Sequence, residues 1–294
     1  MLLTLLNIVL PVFAIAALGF GFGRRHLRAS DMSFINNANV MLFCPALVFS
    51  ALLNNPVDLT RGWPLIAAGV LICIVPGILL LLVRNAGMSR PAFVVTGMFR
   101  NTGNVGIPLM MLAYGKDQLG DIVLLFALTN LLQFSLGLFI LSSGRSRWEW
   151  VRNPNVWAAV LGLLLSSQRR WIPEFVLTTV DLVGQIAIPL MLFALGVRLA
   201  QDRIAHINKA LRINLIYLLA GVLTLVPVVW LLPLTQDWTR LIILSAMLPP
   251  AVLNYLLCEL YDVEPRSVAA VVLMGNAMSV AVIPLVVWVT LTWV

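Results

Sequence analysis

The chain has 294 residues, of which 61% are hydrophobic and only 11% are charged, and its formal net charge is +7. A soluble globular domain carries about 25% charged residues, so this composition excludes an ordinary water-soluble protein. The pI near 10.0 does not indicate a nucleic-acid partner, because the basic residues lie between apolar runs and form no continuous stripe.

Ten apolar runs follow one another along the chain, at residues 2–23, 32–53, 64–83, 92–114, 119–141, 155–168, 174–198, 209–233, 239–259 and 267–292. Each run is a candidate transmembrane helix, because crossing the hydrocarbon core takes about 20 apolar residues. We number these runs span one to span ten. The sixth is short for a span, and Arg169 and Arg170 follow it closely. The ten spans predict an all-α membrane protein with short loops and no separate soluble domain.

The first span contains one triplet, Ala14-Ile15-Ala16, that resembles a signal-peptidase site. However, no basic residues precede its apolar core, and Arg24 and Arg25 follow it directly. These features favour a retained transmembrane helix over a cleaved signal peptide.

Lysine and arginine residues are distributed unevenly between the loops, and cytoplasmic loops carry the excess of these residues. Counted together with the residues at the adjoining span ends, the loops after odd-numbered spans contain thirteen of them, and the loops after even-numbered spans contain five. We therefore predict that the odd-numbered loops are cytoplasmic and that both termini lie outside the cytoplasm, in a bacterial inner (plasma) membrane. Tryptophans at predicted helix ends, such as Trp63, Trp171 and Trp238, are typical of an interfacial aromatic belt.

Few side chains offer catalytic or metal-binding chemistry. Cys44, Cys73 and Cys258 are odd in number, widely spaced and embedded in apolar runs, so we expect small buried side chains. His26 and His206 fall in loops, and neither a carboxylate pair with catalytic spacing nor a glycine-rich phosphate loop is present. The sequence therefore predicts no enzyme activity, no cofactor and no metal site.

The two halves of the chain align at a nearly constant offset. The matching positions are 44–53 with 188–197, Asn37 with Asp181, and Asn130 with Asn276. An odd number of spans in each half forces the halves into opposite orientations. The alignment predicts two inverted five-helix repeats, at residues 1–141 and 155–294, joined by a short cytoplasmic linker at 142–154. A chance match between two apolar strings is the alternative.

Two spans are interrupted by glycine and proline at matching positions. Span four contains NTGNVGIPLM, in which Pro108 removes a backbone donor, and span nine contains Pro249 and Pro250. We expect the first break just before Pro108, near residue 104. Broken helices are costly in hydrocarbon unless they line a cavity or are buried in protein. Paired breaks in two halves predict a substrate site near the membrane midplane, and two ordinary proline kinks are the alternative.

Polar residues within the spans are the candidate site residues. Arg100 lies nine residues after Pro91, about 13 Å deep in a core about 30 Å thick. We expect it to hold a substrate carboxylate, with snorkelling or a pair with Asp181 as the alternatives.

The other candidates are assigned by position. Asp181 is the candidate for proton coupling. The further substrate-binding candidates are Asn101, Asn104, Pro108, Pro249, Pro250 and Asn254. The polar lining candidates are Asn36, Asn37, Asn39, Thr129, Asn130, Gln133, Asn276 and Ser279. For each of these side chains alone, an interhelical hydrogen bond is the alternative.

The chain resembles the auxin efflux carrier family, which includes the plant PIN carriers and bacterial members proposed to carry malonate or malate. The resemblance covers essentially the whole chain and rests on NTGNVGIPLM, on LPPAVLNYLLCELYD, on a first span ending in basic residues and on the equal halves. It implies that spans four and nine cross at their breaks, that spans one, two, six and seven form a scaffold through which plant members dimerise, and that the rest form a transport domain. The large central loop of many plant members is absent from the sequence, which weakens auxin as the substrate.

These features favour a secondary transporter for a small organic anion, either a dicarboxylate such as malonate or malate or an auxin-like carboxylate. The family likeness implies elevator-type alternating access by a homodimer surrounded by membrane lipid, and the sequence leaves a coupling proton or sodium ion open. An anion channel lined by the broken helices is the alternative, because pores also use broken helices. A receptor would need a larger cytoplasmic output surface than these loops provide.

The loop charges predict the location of both termini. A carboxyl-terminal alkaline phosphatase fusion at Val294 should be active, because the arginine-rich loops after odd-numbered spans hold the even-numbered span ends outside the cytoplasm. A matched fusion in the loop after span five should be inactive. If both fusions are inactive, the spans after the fifth have been miscounted, most simply at the short sixth.

Overall fold

The computed structural model describes residues 2–25, 34–35, 37–54, 62–84, 87–142, 149–201 and 207–294. Asn36, His26, His206 and residues 143–148 of the predicted linker lie outside these ranges. Almost all of the described chain is helical, and its β-structure is limited to one isolated antiparallel bridge between Arg100 and Pro250. The predicted all-α class is therefore confirmed for the described residues.

Several α-helices are directly preceded by a short stretch of π-helix. The amino-terminal half contains α1 (Leu2–Arg25), α2 (Cys44–Asn54), α3 (Trp63–Leu81), α4 (Arg90–Met98), α5 (Ile107–Tyr114), α6 (Leu119–Leu132) and α7 (Leu138–Leu141). The other half contains α8 (Pro154–Ser166), α9 (Glu174–Gln185), α10 (Ala187–Gln201), α11 (Ile207–Leu231), α12 (Gln236–Met247), α13 (Val252–Leu260) and α14 (Pro265–Trp293). Wide π-helical turns at Asn39–Phe43, Thr102–Gly106 and Gln133–Gly137 lead directly into α2, α5 and α7.

Within the described chain, five helical segments are long and apolar enough to cross a membrane. They are Trp63–Leu81, Lys116–Leu141, Glu174–Ala194, Ile207–Leu231 and Pro265–Trp293. Two shorter apolar segments, Asn39–Asn54 and Pro154–Ser166, correspond to predicted spans two and six. The lengths support a multi-pass membrane protein, whereas the count of ten spans and their inverted arrangement stay predictions.

Helix α11 shows how these segments divide between protein and lipid. Tyr217 is fully buried, whereas Leu219, Val226 and Trp230 are exposed along the same helix. Water disfavours exposed apolar side chains on one side of a long helix, whereas lipid does not. This side of α11 is therefore suited to contact with lipid.

The helices pack into two groups. In the first group, α1 lies along α10, and α2 lies along α8 and α9. In the second group, α3 packs against α4, α6 and α11, while α14 packs against α11, α12 and α13. On these contacts we divide the helices into a first group, α1, α2 and α8–α10, and a second group, α3–α7 and α11–α14. The two groups also touch each other where α6 packs against α2 and α8.

Glycines allow the helices of the first group to approach closely. A Cβ added at Gly19 would meet the carbonyl of Phe193, and one added at Gly196 would meet the carbonyl of Ala16. Farther along the group, a Cβ at Gly184 would lie 2.9 Å from the backbone of Leu47. Small residues at such positions permit the backbone contacts that drive helix association in membranes.

The first helix break lies earlier than the sequence predicts. Met98 ends α4, Phe99 is extended with φ −103° and ψ 112°, and the wide turn that leads into α5 starts at Thr102. Pro108 instead lies in the first turn of α5, and the helical backbone of the wide turn runs into that turn without an extended residue. The expectation of a break near residue 104 is therefore wrong, and Arg100 itself lies in the break.

The second break coincides with its prolines, as predicted. Leu248 and Ala251 both adopt extended backbone angles, so α12 ends before Pro249 and α13 begins after Pro250. Spans four and nine are thus each two short helices separated by a few extended residues.

Candidate functional site

The two helix breaks cross each other and pair through their backbones. The Asn101 N–H donates to the Pro249 carbonyl at 2.8 Å, and the Ala251 N–H donates to the Phe99 carbonyl at 3.0 Å. Extended residues inside a membrane protein leave backbone groups that no helix satisfies, and burying such groups unpaired is costly. The crossing supplies these partners reciprocally, so each break stabilises the other.

A buried amide of the second half holds the first break. Asn254, at 0% exposure, donates from Nδ2 to the Phe99 carbonyl at 2.9 Å and to the Thr96 carbonyl at 3.3 Å. Its Oδ1 accepts from Gln133 Nε2 at 2.7 Å. Asn254 therefore acts as a structural clamp on the crossing, with both ends of its amide occupied.

A second amide of the same half holds the other break and also contacts the first. Asn276 donates from Nδ2 to the Pro250 carbonyl at 3.3 Å and accepts from Asn101 Nδ2 at 3.0 Å. Asn276 also donates to the carbonyl four residues earlier, as Asn130 does on α6. This common local bond is consistent with the pairing of Asn130 and Asn276 in the two halves.

Arg100 is buried at the crossing and faces backbone carbonyls. It is 4% exposed, and its Nη2 donates to the Tyr217 carbonyl at 2.7 Å while Nη1 makes a longer contact of 3.5 Å with the Leu248 carbonyl. Leu248 immediately follows α12, so the guanidinium lies at the negative end of that helix dipole. Its Nε has no hydrogen-bond partner within the described chain.

Asp181 lies in a different cluster, at the contact of α2 with α9. Its carboxylate accepts a hydrogen bond from Ser50 Oγ and another from Asn54 Nδ2 at 3.2 Å. Asn54 in turn accepts from Arg169 Nε at 2.9 Å. The partners of Asp181 and those of Arg100 are therefore separate sets, and the alternative of a structural pair between them finds no support.

A cavity lies beside the crossing, between the two helix groups, with room of about 100 Å³ for the centres of water-sized molecules. Six amide side chains line it, together with aromatic and aliphatic walls and Arg100. These amides are Asn39, Asn101, Asn104, Asn130, Gln133 and Asn155. Asn39 and Asn155 belong to the first group and the other four to the second, so the cavity is completed by both.

Both broken helices start at this cavity. Gly103 and Asn104 lie in the first turn leading to α5, and Val252 and Leu253 are the first two residues of α13. The first backbone N–H groups of a helix have no intrahelical acceptor, and the helix dipole places a partial positive charge there. Two positive helix ends and Arg100 thus border one cavity, and none of the described residues that line it is acidic.

The sequence-predicted residues divide between lining and supporting positions. The predicted residues that line the cavity are Asn39, Arg100, Asn101, Asn104, Asn130 and Gln133. Pro249, Pro250 and Ser279 line a much smaller space of about 10 Å³, which Arg100 also borders. The predicted residues that line neither space are Asn37, Pro108, Thr129, Asp181, Asn254 and Asn276.

Sequence reasoning missed Asn155 as a lining residue. It donates from Nδ2 to the Val40 carbonyl at 3.2 Å, and its Oδ1 is buried without a partner in the described structure. The pattern Asn153-Pro154-Asn155 indicates a helix start, and Asn153 does cap α8 by accepting from the Asn155 N–H. Because a capping role explains the pattern, the sequence alone gives no signal of a second role.

Within the described residues, no three His, Cys, Asp or Glu side chains lie close enough together to hold a metal ion. The three cysteines are free and buried, as predicted. The chemistry available at the crossing is therefore that of amides, backbone N–H groups and one guanidinium.

Comparison with known proteins identifies the family of the chain. A family model described as "Membrane transport protein" matches residues 4–147 and 138–289. A protein of Rhizobium meliloti (strain 1021) named "Putative malonate transporter" is 26% identical over 310 residues, which covers 94% of this chain and 93% of the relative. Because the family matches cover nearly the whole chain, this protein belongs to the auxin efflux carrier family of membrane transport proteins.

Proposed function

We propose that this protein is a secondary transporter that moves a small organic dianion, a dicarboxylate such as malonate, across the plasma membrane by alternating access. The observation that carries the proposal is the cavity between the two helix groups, where the positive ends of both broken helices meet beside Arg100. The name of the Rhizobium meliloti relative, which specifies malonate, agrees with this substrate class.

The charge at the cavity suits a dianion. A helix amino terminus carries about half an elementary charge, so two of them and one guanidinium supply about two positive charges. The carboxyl end of α12, which the guanidinium meets at Leu248, offsets about half a charge of this total. Such charges act strongly in a low-dielectric site. A dicarboxylate at neutral pH has two negative charges, and two carboxylate groups can each accept several N–H donors.

The packing of the helices supports an elevator-type movement. The first group corresponds to spans one, two, six and seven, and the second to the remaining spans. We infer that the first is the scaffold and the second the transport domain of a ten-span inverted repeat that works as a homodimer. The cavity contacts Asn39 and Asn155 near the starts of α2 and α8, which the loop charges predict to be cytoplasmic, so it lies on the cytoplasmic side of the crossing.

Transport of labelled malonate into proteoliposomes tests the function. Uptake should saturate and should be stimulated by unlabelled malonate inside the vesicles, because a carrier exchanges solute between two states of one site. Asn104→Ala should raise the malonate Kd about tenfold, since it removes one hydrogen bond to a charged ligand. Asn208→Ala, an exposed amide outside the cavity, is the matched control. Flux that rises without saturation and shows no exchange would indicate the channel alternative.

Arg100 contributes its free Nε–H and its charge to the site in this proposal. Arg100→Lys keeps the charge but removes the Nε–H and can satisfy only one of the two carbonyls, of Tyr217 and Leu248. We expect the malonate Kd of the folded protein to rise about tenfold, together with a lower thermal unfolding midpoint. A lower midpoint with an unchanged Kd would show that Arg100 is only structural.

Asp181 remains the candidate for proton coupling. Because its carboxylate is held by Ser50 and Asn54 and does not line the cavity, Asp181→Asn should leave the malonate Kd unchanged. We expect the variant to lose the dependence of transport rate on an imposed pH gradient. Asp237→Asn, at an exposed position of α12, is the control and should retain that dependence. If Asp181→Asn keeps the wild-type pH dependence, proton coupling through this residue is excluded.

A further inference from the structure

A second cavity lies in the second helix group, and the proposed transport cycle does not use it. It is a groove of about 310 Å³ between α3, α4 and the segment that leads into α7. One wall is formed by Ile74, Ile78 and Leu81, which follow one face of α3 at helical spacing, and another is formed by Val94 and Met98 of α4. The seven residue-to-residue steps from Ile74 to Leu81 give the groove a length of about 10 Å.

The groove is apolar along its length and basic at one end. The groove exposes only apolar surface, so Arg90 lines it with its aliphatic stem and leaves the guanidinium at the mouth. Ile78 is 56% exposed and Leu81 is 49% exposed, which places the groove on the outer surface of the helix bundle. Both Leu81 and Arg90 lie at helix ends that the loop charges predict to be cytoplasmic.

A separate polar space of about 720 Å³ shares one lining residue, Arg90, with the groove. Arg84 lines this space, and the Lys209 side chain lies beside Gly87 at its edge. The acidic group present is Glu264, whose Oε1 accepts from the Ser89 N–H at 2.8 Å. Three cations and one carboxylate therefore leave an excess of positive charge at the mouth.

We propose that this groove binds one anionic phospholipid of the cytoplasmic leaflet, with an acyl chain between α3 and α4 and the phosphate at Arg90 and Arg84. An apolar channel that opens sideways and ends in uncompensated cations matches an amphiphile with an apolar tail and an anionic head. Basic pockets between transmembrane helices at the cytoplasmic face are where anionic headgroups bind. A helix of a partner protein with an acidic end is the rival occupant.

Native mass spectrometry of the full chain, incubated with equal amounts of phosphatidylglycerol and phosphatidylcholine, tests the proposal. One phosphatidylglycerol should be retained in preference to phosphatidylcholine. Arg90→Gln should lower its retention about fivefold, the effect of one cation at a membrane surface. Arg266→Gln, an exposed arginine of the same face outside both spaces, should leave retention unchanged. Equal losses in the two variants would overturn the proposal, because they would reflect general surface charge.

Occupation of the groove by an acyl chain needs its own measurement. Leu136→Trp should fill the groove and abolish retention, provided that the variant binds malonate normally.

Independently, Ile78→Cys in the groove should react slowly with a membrane-soluble maleimide when phosphatidylglycerol is present and rapidly in phosphatidylcholine alone. Leu219→Cys, which is exposed on α11 away from the groove, should react equally in both. Dihexanoyl phosphatidylglycerol, which has short acyl chains, should protect Ile78→Cys poorly. Full protection by this short-chain lipid would refute the acyl-chain contact. Lack of protection by the long-chain lipid would refute it as well.

Discussion

The backbone pairing of the two helix breaks is the constraint on which the rest of the structure depends. Pro249 and Pro250 have no N–H to satisfy, and their two carbonyls accept from the Asn101 backbone and the Asn276 side chain. Phe99 is held by the Ala251 N–H and by Asn254. Removing one of these partners leaves backbone groups unpaired at the crossing. Each unpaired backbone group in a membrane interior costs several kcal/mol. The buried amides near the crossing are explained by this requirement before any substrate is considered.

The crossing also places a negative helix end at Arg100 and two positive helix ends at the cavity. The carboxyl end of α12 meets the guanidinium of Arg100 through the Leu248 carbonyl, whereas the amino ends of α13 and of the turn before α5 border the cavity. A positive residue at a helix carboxyl end and an anion at an amino end are both favourable. One buried arginine therefore performs two tasks. It neutralises a negative helix end with its Nη atoms, and its Nε–H stays unpaired in a side chain that lines the cavity.

Sequence reasoning located the broken spans and most lining amides, because Arg100, Asn101 and Pro249 violate the apolar pattern that a lipid-embedded helix needs. It could not locate the first break, since the helical backbone runs past Pro108 without an extended residue and the true break is set by Asn254, more than 150 residues away. Nor could the sequence show which of Asn37 and Asn39 lines the cavity. The two lie on different faces of a helix, and only Asn39 lines the cavity. The partners of Asp181 and the second role of Asn155 likewise depend on contacts between distant segments.

The groove and the cavity share no residue, but they are built on adjacent positions of the same two segments. Met98 lines the groove two residues before Arg100, and Leu136 lines it beside Gly137, where a Cβ would lie 2.9 Å from the ring of Phe99. All of these residues belong to the second helix group. If that group moves as one body, Arg90 moves with it while the lipid headgroups stay at their own level. A bound phospholipid would then favour the position in which Arg90 lies at the headgroup plane, and it would shift the transport equilibrium by the difference in its affinity for the two positions.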